Sequence, residues 1–284
     1  MQESNISWTD YTWNPVTGCS RAGPECYDSE TDTLVCYAER YTREKQAARE
    51  DAPEYVSDAP WTQANAAEVV TTHEGRLDAP FEYHFPAGPG RVFVCSMSDL
   101  FHEQVPTAFI RQVIAVARQC PEHVWILLTK RPSRAAGLDI DWPANVWLGT
   151  SVGSGPGGTY PDTTHRIDEL RSADAATLWV SFEPLIEPIG DVDLSGFDWA
   201  VVGGESRASE YRREMEHAWA RDLLTQCREQ GVRFHFKQSS APRPGMKERL
   251  TVENEDYGVF EQRKIREYPP VPDVTERARQ ELIA

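Results

Sequence analysis

Lysine is the scarcest charged residue in this chain, with five (Lys45, Lys130, Lys237, Lys247 and Lys264) among 284 residues. Lys and Arg together number 29 against 45 Asp and Glu, a net charge of −16. A chain of that sign lacks the phosphate attraction that drives sequence-independent binding to duplex DNA, although a local basic pocket is compatible with it. Abundant carboxylate with few lysines is also the balance expected of a protein in a high-salt cytoplasm, where screening weakens self-repulsion. No apolar run approaches the roughly 18 residues of a membrane-spanning helix. The opening Met1-Gln2-Glu3-Ser4-Asn5 lacks the basic and apolar segments of a secretory signal. A cytoplasmic protein without membrane contact is therefore expected. The seven histidines form no H-x-x-H or H-E-x-x-H pair, which excludes helix-borne zinc sites of that kind.

Cysteine is what the chain does have. Without an export signal, the six are not expected to be disulfides. Cys120 and Cys227 fall near the ends of apparent helices and read as packing residues. Cys19, Cys26 and Cys36 have the spacing C-x6-C-x9-C. The first two sit in a Gly- and Pro-containing loop. The third opens Cys36-Tyr37-Ala38-Glu39-Arg40-Tyr41, a helix start, where the dipole favours a thiolate. Three such thiolates can converge on one metal centre. A [4Fe–4S] cluster with three thiolate ligands keeps one iron open for a substrate or cofactor. Zinc is the competitor, with Cys95 as the fourth ligand of a closed tetrahedral site.

Along the chain, short apolar runs alternate with helical stretches. The runs are Arg91–Cys95, Val124–Leu128, Val146–Thr150, Leu178–Phe182, Trp199–Val202 and Arg233–Phe236, with a further strand near Trp13–Thr17. Helices are expected at Thr107–Gln119, Thr164–Ser172 and Glu216–Gly231. Continuous apolar strands separated by helices predict an α/β fold with a parallel sheet. The expectation is a full or partial parallel (β/α) barrel over residues 1–238. An irregular insertion with one helix interrupts it at about 49–90. Residues 239–284 form a charged, Pro-punctuated extension with a short helix at Val274–Ile283.

In barrels of this kind reacting groups gather at the C-terminal ends of strands. Here those ends carry Asp99 and His102, Lys130 and Arg131, Ser151, Glu183, Gly203-Gly204-Glu205, and Lys237. The paired glycines admit close approach of a ligand, and Glu205 can accept an ammonium group. Lys130, Arg131 and Lys237 suit a carboxylate or phosphate. Asp99 and Glu183 suit acid–base work or pairing with those cations. Tyr27 and Tyr37, each directly after a cysteine, are placed to shield a cluster or face a ligand base.

Several segments together resemble a known family. They are Thr12-Trp13-Asn14-Pro15-Val16-Thr17-Gly18-Cys19, Cys36-Tyr37-Ala38-Glu39-Arg40, Leu127-Leu128-Thr129-Lys130-Arg131-Pro132, Trp147-Leu148-Gly149-Thr150-Ser151-Val152, Ser181-Phe182-Glu183-Pro184-Leu185, Val201-Val202-Gly203-Gly204-Glu205-Ser206 and Phe234-His235-Phe236-Lys237-Gln238. The chain resembles the phage- and prophage-associated three-cysteine proteins of unknown function, a family similar to radical S-adenosylmethionine barrels. That resemblance implies a [4Fe–4S] cluster on Cys19, Cys26 and Cys36 and S-adenosylmethionine as a small-molecule cofactor. It implies Gly203, Gly204, Glu205, Ser151, Tyr37 and Lys237 as cofactor-binding residues. Lys130, Glu183 and Asp99 become the catalytic candidates, and the substrate class is a nucleic acid or nucleotide. The alternative it leaves is a non-enzymatic phage or defence protein with a structural zinc or closed cluster. The chain departs from the family pattern in two places, and from the radical enzymes in the position of one motif. Tyr27–Val35 separates cysteines that are usually two residues apart, and Ser239-Ser240 stands where an aromatic-Gly pair is usual. The Gly-Gly-Glu run follows a late strand rather than an early one.

Overall fold

The fold is that of a computed structural model describing residues 1–208, 210–254 and 259–271. An eight-stranded sheet organises a mixed α/β chain. Its strands are β1 (Gln2–Glu3), β2 (Tyr11–Trp13), β3 (Arg91–Val94), β4 (Val124–Thr129), β5 (Val146–Ser151), β6 (Thr177–Phe182), β7 (Trp199–Gly203) and β8 (Arg233–Gln238), in that spatial order. β1 is antiparallel to β2, and every other neighbouring pair is parallel. Parallel neighbours in chain order require a crossover between each pair. Helices α1 (Tyr37–Tyr41), α2 (Thr107–Gln119), α3 (Pro132–Ala136), α4 (His165–Arg171) and α5 (His217–Glu229) lie in five of these connections. The connection from β6 to β7 is a loop. The apolar runs thus become strands to within a residue or two. α2 forms because Phe109, Ile110, Val113, Ile114 and Ala117 share one buried stripe.

The two faces of the sheet differ. Val92, Val94, Leu127, Leu148, Val180, Phe182 and Val202 pack under the helices in the main core. The opposite face carries Phe93, Ile126, Trp147, Trp179, Trp199 and Val201, plugged by Trp8. The Trp8 indole lies 4.8 Å from the Phe93 ring on β3 and 6.4 Å from the Trp199 ring on β7. Those strands are four spacings apart, roughly 19 Å in a flat sheet at about 4.8 Å each. One indole meets both because the sheet curls around it.

The curl stops short of closure, so the full barrel is not formed. Both edges that would have to meet are already occupied. β1 takes the free edge of β2. On β8, Phe236 N donates to Ile265 O (2.8 Å) and Glu267 N to Phe234 O (3.2 Å). Side chains bridge the remaining seam. Tyr268 Oη donates to Ser7 O (3.0 Å), and Ser7 Oγ shares a hydrogen bond with His235 Nε2 (3.1 Å).

Three further expectations change in detail. The strand near Trp13–Thr17 is split, with Val16–Thr17 pairing separately with Thr71–Thr72. The insertion holds short turns at Gln63–Asn65, Ala66–Val69, Glu74–Arg76 and Ala79–Glu82 rather than one helix. The extension contributes a hairpin of β9 (Leu250–Asn254) and β10 (Val259–Arg263), with Leu250 and Val252 buried in the main core. The helix expected at Val274–Ile283 lies outside the described residues. Among those described, no helix is long and apolar enough to cross a membrane.

Candidate metal centre and cleft

Cys19, Cys26 and Cys36 all lie in the connection between β2 and β3. Gly18, at φ 79°, turns the chain from β2 into Cys19. A side chain there would put its Cβ 1.7 Å from Val69 O, so the turn admits only glycine. The nine residues between Cys26 and Cys36 form a small hairpin, Tyr27–Asp28 against Thr33–Leu34. Its base is tied by Val35 N and Cys36 N, which both donate to Cys26 O (3.1 and 2.9 Å). The long spacing is therefore an excursion that returns Cys36 to the side of Cys26. Burial pushes the Cys19 thiol far up, with Asp99, Cys26 and Cys36 adding to the rise and Arg131 opposing it. Burial and the nearby Cys26 push Cys36 up to about 11. The three thiols lie within electrostatic reach of one another.

Two cations face them. Arg131 Nη1 lies 3.6 Å from Cys19 Sγ, and Nη2 donates to Ser20 O (3.1 Å). Asp99 holds that guanidinium at 3.2 Å and also accepts from Thr129 Oγ1, Lys130 N and Phe101 N. Its carboxylate is spent on these bonds, which makes Asp99 an anchor of the β3 and β4 strand ends. Lys130 is half-buried. Burial works against its charge, but Cys26, Glu25 and Cys36 outweigh that and raise its pKa. Among the described residues its ammonium has no ion-pair partner. His102 is buried, shares a hydrogen bond with Ser20 Oγ (2.8 Å) and accepts from Gln104 N at Nδ1 (3.1 Å). It supports the loop.

Glu25 and Arg166 were not singled out from sequence. Arg166 Nη1 donates to Glu25 Oε1 (2.8 Å) and to Ser151 O (2.9 Å), while Nη2 donates to Ala22 O (2.7 Å). This buried pair rivets the Cys26 loop to the end of β5. A carboxylate directly preceding a cysteine was the available signal.

Glu183 after β6, with Lys237 and Gln238 of β8, borders an open cleft of about 1370 Å³, lined also by Tyr37 and Asn14. Lys237 forms an ion pair with Glu183 inside it. A Cβ on Gly203 would come within 3.3 Å of Glu183 Cδ, so the glycine leaves that carboxylate its room. Glu205 lies outside the cleft wall, buried between Arg207 (3.0 Å) and Arg213 (2.7 Å). The ammonium role read from the sequence is taken by these two arginines. Tyr37 is exposed rather than folded over the thiols. Tyr27 lies under the Arg21 guanidinium, 4.2 Å from its ring centre.

Three thiols beside two cations are a donor set compatible with a cluster. Among the described residues, no three His, Cys, Asp or Glu side chains converge as ligands of one metal ion. Lys130 and Arg131 offset the negative charge that three thiolates bring. Cys95 lies apart in sequence, at the end of β3. It is buried in the main core, and burial pushes its thiol up to about 12.

A family model described as "Protein of unknown function (DUF5131)" matches residues 3–269. The chain belongs to that family. No curated protein matches it. Among solved structures it aligns with mutants of spore photoproduct lyase. A double mutant with bound AdoMet and dinucleoside spore photoproduct aligns at 12% identity and a TM-score of 0.46. A cysteine-to-serine mutant aligns at 13% and 0.45. Each alignment covers 99% of this chain and 74% of the other.

Proposed function

We propose that this chain is an iron–sulfur enzyme of the radical S-adenosylmethionine type, acting on a nucleic-acid-related substrate. Cys19, Cys26 and Cys36 are the cluster ligands. The observation that carries the reading is the hairpin return, which brings Cys36 beside Cys26 and within reach of Cys19 under two cations. When bound, the cluster and S-adenosylmethionine together supply radical hydrogen abstraction. The Cys19 and Cys36 thiols sit high in pKa, so loading them releases protons and is favoured as pH rises. Arg131 and Lys130 stabilise the thiolates that result. Lys130, which among the described residues has no ion-pair partner, takes the carboxylate of the methionyl group, beside Ser151 at the end of β5. Glu183 and Lys237 form the acid–base pair of the cleft, and Asp99 acts by positioning Arg131.

The test is anaerobic purification followed by iron and sulfide analysis and EPR of the reduced protein. About four irons per chain are expected, with a spectrum altered by S-adenosylmethionine, and Cys26→Ala should abolish iron binding as fully as Cys19→Ala. A spectrum blind to S-adenosylmethionine, or a Cys26→Ala protein that keeps its iron, sinks the reading.

A further inference from the structure

Helix α1 presents two tyrosines to the mouth of the cleft. Tyr37 and Tyr41 are 60% and 41% exposed, far more than aromatic rings used for packing. Their centroids lie 5.8 Å apart with 17° between planes, so the two rings stand nearly parallel. The other face of α1 is pinned. Glu39, fully buried, accepts from Arg21 Nε and Nη2 (3.0 and 2.6 Å), from Arg43 Nη1 (3.3 Å) and from Trp61 N (3.0 Å). The helix then passes into a π turn at Thr42–Gln46, a distortion often found at functional sites. The platform is thus held rigidly with its rings outward.

Charge at this mouth differs from the rest of the surface. In a chain of net charge −16, the cleft wall balances its carboxylates with Arg40, Arg76, Lys237 and Arg243. Two of those carboxylates are neutralised in ion pairs, Glu183 with Lys237 and Glu248 with Lys264 and Arg266. Among the described residues, Arg40 and Arg243 have no ion-pair partner. An anionic ligand excluded elsewhere by the acidic field is tolerated here.

We propose that Tyr37 and Tyr41 form a stacking platform for unpaired nucleobases of a single-stranded nucleic acid, with Arg40 and Arg243 meeting its backbone. The assignment rests on the reading of the cleft as the substrate site and names how the substrate is gripped. Stacking is indifferent to base identity and needs little net positive charge, which suits this surface. Stacking on neighbouring base pairs hides the faces of the bases in a duplex, so a duplex is not gripped.

The experiment is a fluorescence-anisotropy titration of the full chain with labelled eight-nucleotide probes. The probes are oligothymidine DNA, oligouridine RNA and an abasic strand of equal charge. Expected is binding of the DNA strand, the RNA strand or both, lost for the abasic strand. Tyr37→Ala and Tyr41→Ala should each weaken it on the order of 10-fold. Tyr37→Trp should retain affinity, which separates a stacking role from a folding defect. Salt dependence should be shallow, because few phosphates are contacted. Equal affinity for the abasic strand, no effect of either alanine, or no binding of any strand overturns the platform. None of these outcomes touches the iron and EPR assay, so the two proposals fail separately.

Discussion

Cys26 is held in place by a residue that makes no contact with it. Glu25 and Arg166 have side chains 0% and 5% exposed, and both are charged. The attraction of a buried pair is largely offset by the cost of desolvating it, but removing one partner strands the other. Glu25→Ala should therefore cost about 3–5 kcal/mol in urea denaturation. It should also lower iron content, because the residue before Cys26 loses its link through Arg166 to β5. The double change Glu25→Ala with Arg166→Met removes both charges and should lose clearly less stability than Glu25→Ala alone. If the double variant is the less stable of the two, the pair is not what anchors the loop. Asp99 illustrates the same principle at a site where the sequence suggests acid–base chemistry. Its position at a strand end was legible. That Thr129, Lys130, Phe101 and Arg131 together use up its oxygens was not, because those donors converge only in the fold.

At the scale of elements, β5 and β6 meet across Gly149. A Cβ at that position would lie 2.3 to 2.6 Å from three atoms of the Trp179 indole, whose Nε1 donates to Leu127 O (3.2 Å) and Trp147 O (3.3 Å). Gly149→Ala should lower the denaturation midpoint by an amount equivalent to about 1–3 kcal/mol, with the slope unchanged. A variant as stable as the parent would mean the tryptophan layer yields more than dense packing allows. The strands of this layer were readable because burial on both faces makes them apolar throughout. The Tyr27–Leu34 hairpin was not, since two-residue strands carry no periodicity. Its one local cue is Asp28, whose carboxylate accepts from Glu30 N (3.1 Å) and Thr31 Oγ1 (2.8 Å) as turn-forming aspartates do. The two arginine partners of Glu205 were not legible for a similar reason. Arg207 and Arg213 are close in sequence, but nothing in their spacing says both turn back onto it.

For the whole molecule, the decisive feature is the seam that replaces barrel closure. Composition and strand rhythm cannot report closure, because it depends on what occupies the two edges. At this seam His235 is fully buried, 5.2 Å from the Tyr268 ring and bonded to Ser7. Burial lowers its pKa to about 3, helped by Arg266, Arg91, Lys237 and Lys264. In the unfolded chain the same imidazole titrates near 6.5. Between those two values the unfolded state binds the extra proton, so stability falls as pH drops from about 6.5 towards 3. It is fully present above 6.5, and each unit of the fall costs at most about 1.4 kcal/mol. An opposing effect acts over the same window, because acid reduces the net charge of −16 and with it the self-repulsion. The two are separated by comparing the parent with His235→Gln, which keeps a hydrogen-bonding side chain but cannot titrate. Both proteins share the charge effect, so the difference between their denaturation curves isolates the histidine. The parent should lose more stability than the variant between pH 6.5 and 4.5, with the gap widening steadily. Parallel curves would mean that the seam opens to water in the native state and that His235 is protonated without unfolding.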